Sequence, residues 1–239
     1  MRSEEKAEAV GSRNSLREWI KSIVVAAVLF VLIRTFVLQT FVIISGSMKP
    51  TLLVGDMLVV NRLALGSEVP ILGVRIPGYS APQRGDIVVF EPPPLDSTAD
   101  SRLIKRLVGL PGDTLQMRER VLLVDGKPQS EPYVKHLPIP DQSDPWMKWQ
   151  KRYLVSNVDR EAYVPTRDNW GPLVVPVGYY FMMGDNRDES LDSRYWGLVQ
   201  RRDIEGRPVF TYFSYNRESY RPFPWLREIN WGRIGMGVH

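Results

Sequence analysis

Gly55-Asp56-Met57-Leu58-Val59-Val60 decides the fold class, because the same local device returns along the chain: Gly85-Asp86 stands before Ile87-Val88-Val89-Phe90, and Gly112-Asp113 and Gly184-Asp185 complete the set. Gly-Asp supplies a turn and the apolar, largely β-branched runs supply strands, so short strands joined by tight turns are expected. Val121 to Val124, followed by Asp125-Gly126, adds a hairpin. No convincing amphipathic helix follows residue 44, and the chain beyond that point reads as mainly β. Between about Thr114 and Pro176 the composition turns polar, Pro-rich and Trp-containing, with Pro138, Pro140 and Pro145 punctuating it. That stretch, 114–176, reads as an inserted subdomain within a β domain formed by 41–113 and 177–239.

Upstream the character is different. A charged tail, residues 1–18, precedes Ile20 to Leu38, in which only Lys21, Ser22, Arg34 and Thr35 interrupt the apolar run. As a helix this stretch spans about 28 Å at 1.5 Å per residue, close to the roughly 30 Å hydrocarbon thickness of a bilayer. Its uninterrupted core, Ile23 to Ile33, is short enough for a cleavable signal peptide. Against that, Thr35-Phe36-Val37-Leu38-Gln39 offers no small-x-small cleavage site and apolar character resumes at Phe41 to Ile44. A retained transmembrane anchor over residues 19–40 is therefore expected. Arg2, Lys6, Arg13, Arg17 and Lys21 precede its core and only Arg34 borders its far end, which places the N-terminus in the cytoplasm and the β domain outside.

The composition narrows the chemistry. The 239 residues are 44% hydrophobic and 24% charged, enough for a sizeable core, and include no cysteine. Disulfide scaffolds, thiolate metal sites and cysteine nucleophiles are excluded together. The net charge of +4 is mild and no Lys/Arg block stands out, so the basic balance reads as solubility with some attraction to anionic lipid, and not as nucleic-acid binding.

Three clusters carry functional signal. Ser45-Gly46-Ser47-Met48-Lys49-Pro50-Thr51-Leu52 places two serines, bent by Gly and pinned by Pro, directly after the apolar run. A serine needs a base, and histidine is scarce: His239 is the last residue and His136 lies in the Pro-rich stretch. Leu103-Ile104-Lys105-Arg106-Leu107-Val108 supplies another candidate, because strand alternation sends Lys105 and Arg106 to opposite faces and one of them inward. A desolvated lysine favours its neutral amine, which can take a serine proton. An ordinary lysine on an edge strand is the plainer reading of that segment alone. The third cluster, Met182 to Gly197, packs three Asp, two Ser and two Arg into one apparent loop. Its oxygen ligands do not follow EF-hand spacing, so no metal site is assigned there.

In their order along the chain the three clusters, with Arg84-Gly85-Asp86 between the first two, resemble the boxes of bacterial type I signal peptidases, membrane-anchored Ser/Lys proteases that remove signal peptides from exported preproteins. The resemblance covers roughly residues 15–113 and 177–199. It implies a signal-peptidase-like coiled β-sheet domain, with Ser47 as nucleophile and Lys105 as general base. It also implies Ser45 as the hydroxyl that completes the oxyanion hole, Ser190 as the hydroxyl that orients the lysine, Asp192 with Arg194 as a supporting ion pair, and Gly184 as the site of close approach behind the lysine. Small residues, typically Ala, at substrate positions −1 and −3 are implied, in shallow pockets that Ile43, Ile44, Met48, Leu52, Leu103 and Ile104 would line. Lys49 is a rival base. Ile44 stands where the family commonly has Pro and Glu189 where it often has Asn. No metal or organic cofactor is called for, and the implied location is the bacterial inner membrane, single-pass, with exported preproteins and the lipid bilayer as partners. A self-cleaving repressor, a penicillin-binding transpeptidase, a peptidase dedicated to one pilus or conjugation system and a non-enzymatic anchored β-domain are the alternatives. The C-terminal aromatics, Tyr212, Phe213, Tyr215, Tyr220, Phe223, Trp225 and Trp231, read either as a lipid-interface patch or as β-core.

Overall fold

The structure, a computed structural model, describes residues 17–31, 38–68, 75–93 and 102–239. Most of the charged tail, 1–18, and the middle of the expected anchor, residues 32–37, lie outside the described residues. A helix, α1, covers residues 17–31 and its apolar side chains, from Trp19 to Val31, are exposed. No helix among the described residues is long and apolar enough to cross a membrane. The expected anchor also runs three residues too far: 38–40 belong to the first strand, β1 (Leu38–Val42), because Leu38 to Val42 pair antiparallel with Asn61 to Met57.

Beyond α1 the protein is mainly β, as the turn pattern predicts. A seven-stranded sheet among the described residues holds β1, β2 (Asp56–Asn61), β5 (Ile87–Phe90), β6 (Leu103–Gly109), β11 (Tyr179–Met183), β12 (Val199–Gln200) and β13 (Ile204–Ser214), in the order β1-β2-β13-β5-β6-β11-β12. The eleven-residue β13 joins both halves, pairing with β5 at Ile204 and Gly206 and with β2 from Arg207 onward, with register shifts along both pairings. Such bulges bend a strand and increase its twist, and so curl the sheet. A short ribbon of β3 (Gly66–Glu68) and β4 (Arg75–Pro77) lies apart. Residues 114–174 contribute a separate four-stranded sheet, β10-β7-β8-β9, from β7 (Thr114–Arg118), β8 (Val121–Val124), β9 (Lys127–Pro128) and β10 (Trp170–Val174).

Three of the four Gly-Asp pairs build the same turn. Gly55, Gly85 and Gly112 have φ of 97°, 92° and 93° at the third turn position, a conformation that L side chains resist. In each case the following Asp donates its N–H to the carbonyl three residues back (Leu53, Gln83, Leu110) and its carboxylate accepts the N–H of that same residue. The fourth pair differs: Gly184 has no positive φ, and Asp185 turns inward to meet Arg106. Asp125-Gly126, both at positive φ, closes the β8–β9 hairpin as expected. A second two-residue hairpin, Glu119-Arg120 between β7 and β8, carries no Gly or Asn signal in the sequence. Its cost is offset by tertiary contacts, since Asn169 Oδ1 accepts the Glu119 N–H and Asp168 takes both the Arg120 N–H and its guanidinium.

The inserted sheet does not keep a core to itself. Leu115, Met117, Leu122, Trp170 and Leu173 pack in one buried cluster with Val108, Phe181 and Met183 of the main sheet and Leu198 just before β12, and the Trp170 ring stacks on Phe181 at 5.1 Å. Burying apolar surface from both sheets in a single cluster fixes their relation.

Candidate active site

Ser47 lies in a single 3-10 turn, Gly46–Met48, that follows β1, with Ser45 in extended conformation at its head. Backbone bonds hold this turn in place: the Asn186 N–H donates to the Ser47 carbonyl at 3.1 Å and the Asn186 side-chain amide to the Gly46 carbonyl at 3.1 Å. Lys105 enters from β6, which is not an edge strand but lies between β5 and β11. Its side chain is 3% exposed, Ser47 is 7% exposed, and Lys105 Nζ and Ser47 Oγ are hydrogen-bonded to each other. Burial lowers the ammonium pKa to about 8; Asp192 and Asp185 pull it up and the Arg194 charge presses it further down.

The expectation that only one of Lys105 and Arg106 goes inward fails. Both are 3% exposed, because the sheet is covered on both faces at this point. Arg106 reaches Asp185 through two bonds, Nε to Oδ1 at 2.9 Å and Nη2 to Oδ2 at 2.8 Å, and Thr51 Oγ1 donates to Oδ2 at 2.5 Å. Sequence reasoning missed this pair. Both residues sit inside the quoted boxes, but nothing in the spacing says that one box closes on the other.

The expected Asp192–Arg194 pair forms. Its members are 0% and 1% exposed, and the guanidinium meets the carboxylate through Nε and Nη2, each at 2.8 Å. Burial opposes ionisation of Asp192, yet the Arg194 charge and bonds, with the Gly184 N–H, hold its pKa below the usual carboxylate value. The inserted region completes the clamp, since Gln150 Nε2 and Trp149 Nε1 donate to the Arg194 carbonyl at 3.0 and 3.1 Å.

Gly184 behaves as expected of a close-approach residue: a Cβ there would collide with Ser190 Oγ and stand 2.5 Å from the Ser47 carbonyl oxygen. Ser190 and the nucleophile's backbone thus both pack on Gly184. The Ser190 hydroxyl is buried beside the Asp192 carboxylate, which it helps to keep ionised, and is not bonded to the lysine amine. Ser45 Oγ lies 3.4 Å from Ser47 Oγ on the exposed side of the turn. Lys49 points elsewhere, pairing with Glu218 at 3.4 Å on the surface. Glu189 accepts from the Asn186 amide at 2.7 Å.

The residues expected to line substrate pockets divide. Ile43, Met48, Leu52 and Ile104 share one buried cluster with Ile87, Leu58, Val60 and Val89. Met48 and Leu52, at 2% and 1% exposure, are a floor and not an open wall. Leu103 packs on the other face with Val88, Phe90 and Leu107, as strand alternation dictates, and Ile44 is 72% exposed. Among the described residues no cluster of acidic or histidine side chains is arranged to hold a metal ion.

A serine hydrogen-bonded to a buried, readily neutralised lysine is the apparatus of a serine hydrolase with lysine in the place of histidine. The chain belongs to the signal peptidase family, peptidase S26, whose model matches residues 16–213. It is 36% identical to a signal peptidase I of Pseudomonas aeruginosa, across 96% of this chain and 82% of that one. It is 35% identical to a signal peptidase I of Bacillus licheniformis, across 90% and 96%. A solved signal peptidase I from Enterococcus faecalis is 35% identical and covers 54% of this chain and 97% of its own, with a TM-score of 0.35.

Proposed function

We infer that the protein is a serine endopeptidase that removes N-terminal signal peptides from exported preproteins, with Ser47 as nucleophile and Lys105 as its base. The observation that carries this is the buried Lys105–Ser47 contact with an amine titrating near 8. Roughly a tenth of the lysine is neutral at pH 7, several hundred times more than for an exposed one.

Neutral Lys105 takes the Ser47 proton as Oγ attacks the scissile carbonyl, and then delivers it to the leaving amine. Water, deprotonated by the same lysine, hydrolyses the acyl-enzyme. The oxyanion is received by the Ser47 N–H and the Ser45 hydroxyl, which stands on the open side of the turn. Asp192, Arg194 and Gly184 hold the loop behind the lysine, and Ser190, buried between that loop and the Asp192 carboxylate, is the hydroxyl assigned to orient the ammonium when Lys105 becomes charged. Small side chains at −1 and −3 suit a site whose floor is already filled by Met48, Leu52, Ile43 and Ile104. A division into 41–113 with 177–239 around the site and 114–176 beside it is part of this reading; the separate four-stranded sheet of β7 to β10 supports it.

The chain is placed at the bacterial inner membrane as a single-pass protein, N-terminus cytoplasmic. The exposed apolar side chains between Trp19 and Val31 support the anchor reading. Tyr220, Phe223, Trp225 and Trp231, all more than half exposed, favour a lipid-facing patch over β-core for the C-terminal aromatics.

Detergent-solubilised wild type, Ser47→Ala and Lys105→Ala, each verified as folded, would be compared on a preprotein with Ala at −1 and −3. Cleavage by wild type alone is expected; comparable cleavage by all three would remove the dyad assignment.

A further inference from the structure

We propose that Glu131, in the inserted region, is a positioning residue for the Ser47–Lys105 pair, acting through Arg187 and through Tyr133 and Arg106; the proposal rests on the dyad reading above. The Glu131 carboxylate receives the Arg187 guanidinium end-on, Nη1 to Oε2 at 2.9 Å and Nη2 to Oε1 at 2.6 Å, and also accepts the Tyr133 hydroxyl at 3.0 Å. Two arms leave from this point.

Along the first arm, Arg187 is 1% exposed and its Nε donates to the Gly184 carbonyl at 3.2 Å. Gly184 is the residue wedged between Ser190 Oγ and the Ser47 carbonyl, where no slack remains. Along the second arm, the Tyr133 ring lies 3.8 Å from the Arg106 guanidinium, whose other side is committed to Asp185. Arg106 follows Lys105 directly on β6, and Asp185 follows Gly184. The backbone seals the same junction: the Lys135 N–H donates to the Asp185 carbonyl at 2.8 Å and the Arg187 N–H to the Lys135 carbonyl at 3.1 Å.

Without the Glu131 charge, Arg187 is a buried cation that must find another partner or move. Any movement pulls on Gly184, while Tyr133 loses the acceptor that seats its ring against Arg106. Both displacements end one residue from the dyad. The bonds of the Glu131 carboxylate go to Arg187 and Tyr133 and not to the Ile43, Met48, Leu52, Ile104 floor, so its influence is expected on turnover and not on substrate binding. A displacement of about 1 Å at reacting groups can cost on the order of a hundredfold in rate.

The test is steady-state cleavage of a preprotein with Ala at −1 and −3 by the full chain in detergent, at a temperature well below every variant's Tm. The variants are Glu131→Gln, Glu131→Asp, Tyr133→Phe and, as control, Ser47→Ala. Glu131→Gln is expected to lower kcat at least tenfold with KM changed less than twofold, Glu131→Asp to recover part of the loss, and Tyr133→Phe, which leaves the ion pair intact, to lower kcat several-fold. Wild-type kcat in folded Glu131→Gln, or a loss confined to KM or to Tm, overturns the proposal. If Glu131→Gln does not fold, Tyr133→Phe decides: wild-type kcat there overturns it equally. An active Ser47→Ala would instead refute the dyad reading, and this proposal with it, whereas an inert Ser47→Ala beside fully active Glu131 and Tyr133 variants refutes this proposal alone.

Discussion

Arg106 and Asp185 form an ion pair through two hydrogen bonds, with side chains 4% and 0% exposed, directly behind the lysine that contacts Ser47. The pair ties β6 to the loop after β11, and Thr51 Oγ1 extends it to the segment that carries the serine. Removing one partner leaves a buried charge without compensation. Asp185→Ala is therefore expected to cost about 3–5 kcal/mol of unfolding free energy, as measured by urea denaturation. Replacing both residues by apolar ones of similar volume should cost clearly less than the sum of the single changes; strict additivity would show that the two are not coupled.

The pH dependence of catalysis follows from Lys105. The neutral amine is the reactive form, and burial brings its pKa to about 8. Under the proposed mechanism kcat/KM should rise with pH along an acid limb centred near 8, tenfold per unit below it and flat above. A profile flat across this range, or a limb well below 8, would show that deprotonation of the Lys105 amine does not control the rate.

The same shift makes a stability prediction of defined sign. The folded pKa lies below the unfolded value of about 10.5, so the unfolded chain binds more protons between pH 8 and 10.5 and stability contributed by this residue increases with pH across that window. Below pH 8 the fold carries the full cost of a buried ammonium, at most about 3 kcal/mol for a shift of this size. Lys105→Met should abolish activity yet raise stability at pH 7 by about 1–3 kcal/mol, with the advantage shrinking as the pH approaches 10. Denaturant titrations of both proteins at pH 7 and pH 9.5 would check it; a pH-independent difference would mean that the amine is not desolvated in the fold.

What the sequence could and could not disclose divides by the range of the interaction. Three Gly-Asp turns and the Asp125-Gly126 hairpin are local, each satisfied within a few residues, and so are readable from the residues that make them. Ser47 and Lys105 are 58 residues apart, and their meeting was legible only through resemblance, since strand alternation says nothing of which distant segment covers each face of β6. The fourth Gly-Asp pair misled because its Asp has a distant cation to bind, and tertiary pairing overrides a local turn. The Glu119-Arg120 hairpin was invisible for the same reason in reverse: Asn169 and Asp168, some 50 residues on, supply what the turn residues lack. Glu131, in a Pro-rich stretch with no motif, gave no sign of its link to Arg187.

Gly184 sets the tightest steric constraint in the site. A methyl group there would collide with Ser190 Oγ and press on the Ser47 carbonyl oxygen at 2.5 Å, and only the first of these neighbours is a side chain that can be trimmed. Overpacking of this kind costs about 1–3 kcal/mol in well-packed interiors. Gly184→Ala should reduce kcat by on the order of a hundredfold, because relief of the clash requires the backbone of the nucleophile to move relative to Lys105. Adding Ser190→Ala removes the hydroxyl but leaves the Ser190 Cβ, 2.6 Å from the added methyl, and the Ser47 carbonyl contact, so the double variant should regain only part of the stability and none of the rate. Thermal unfolding and single-turnover cleavage, run on Gly184→Ala, Ser190→Ala and the double variant, separate the two effects; a double variant as fast as Ser190→Ala alone would show that the Ser47 backbone is not under pressure from this side.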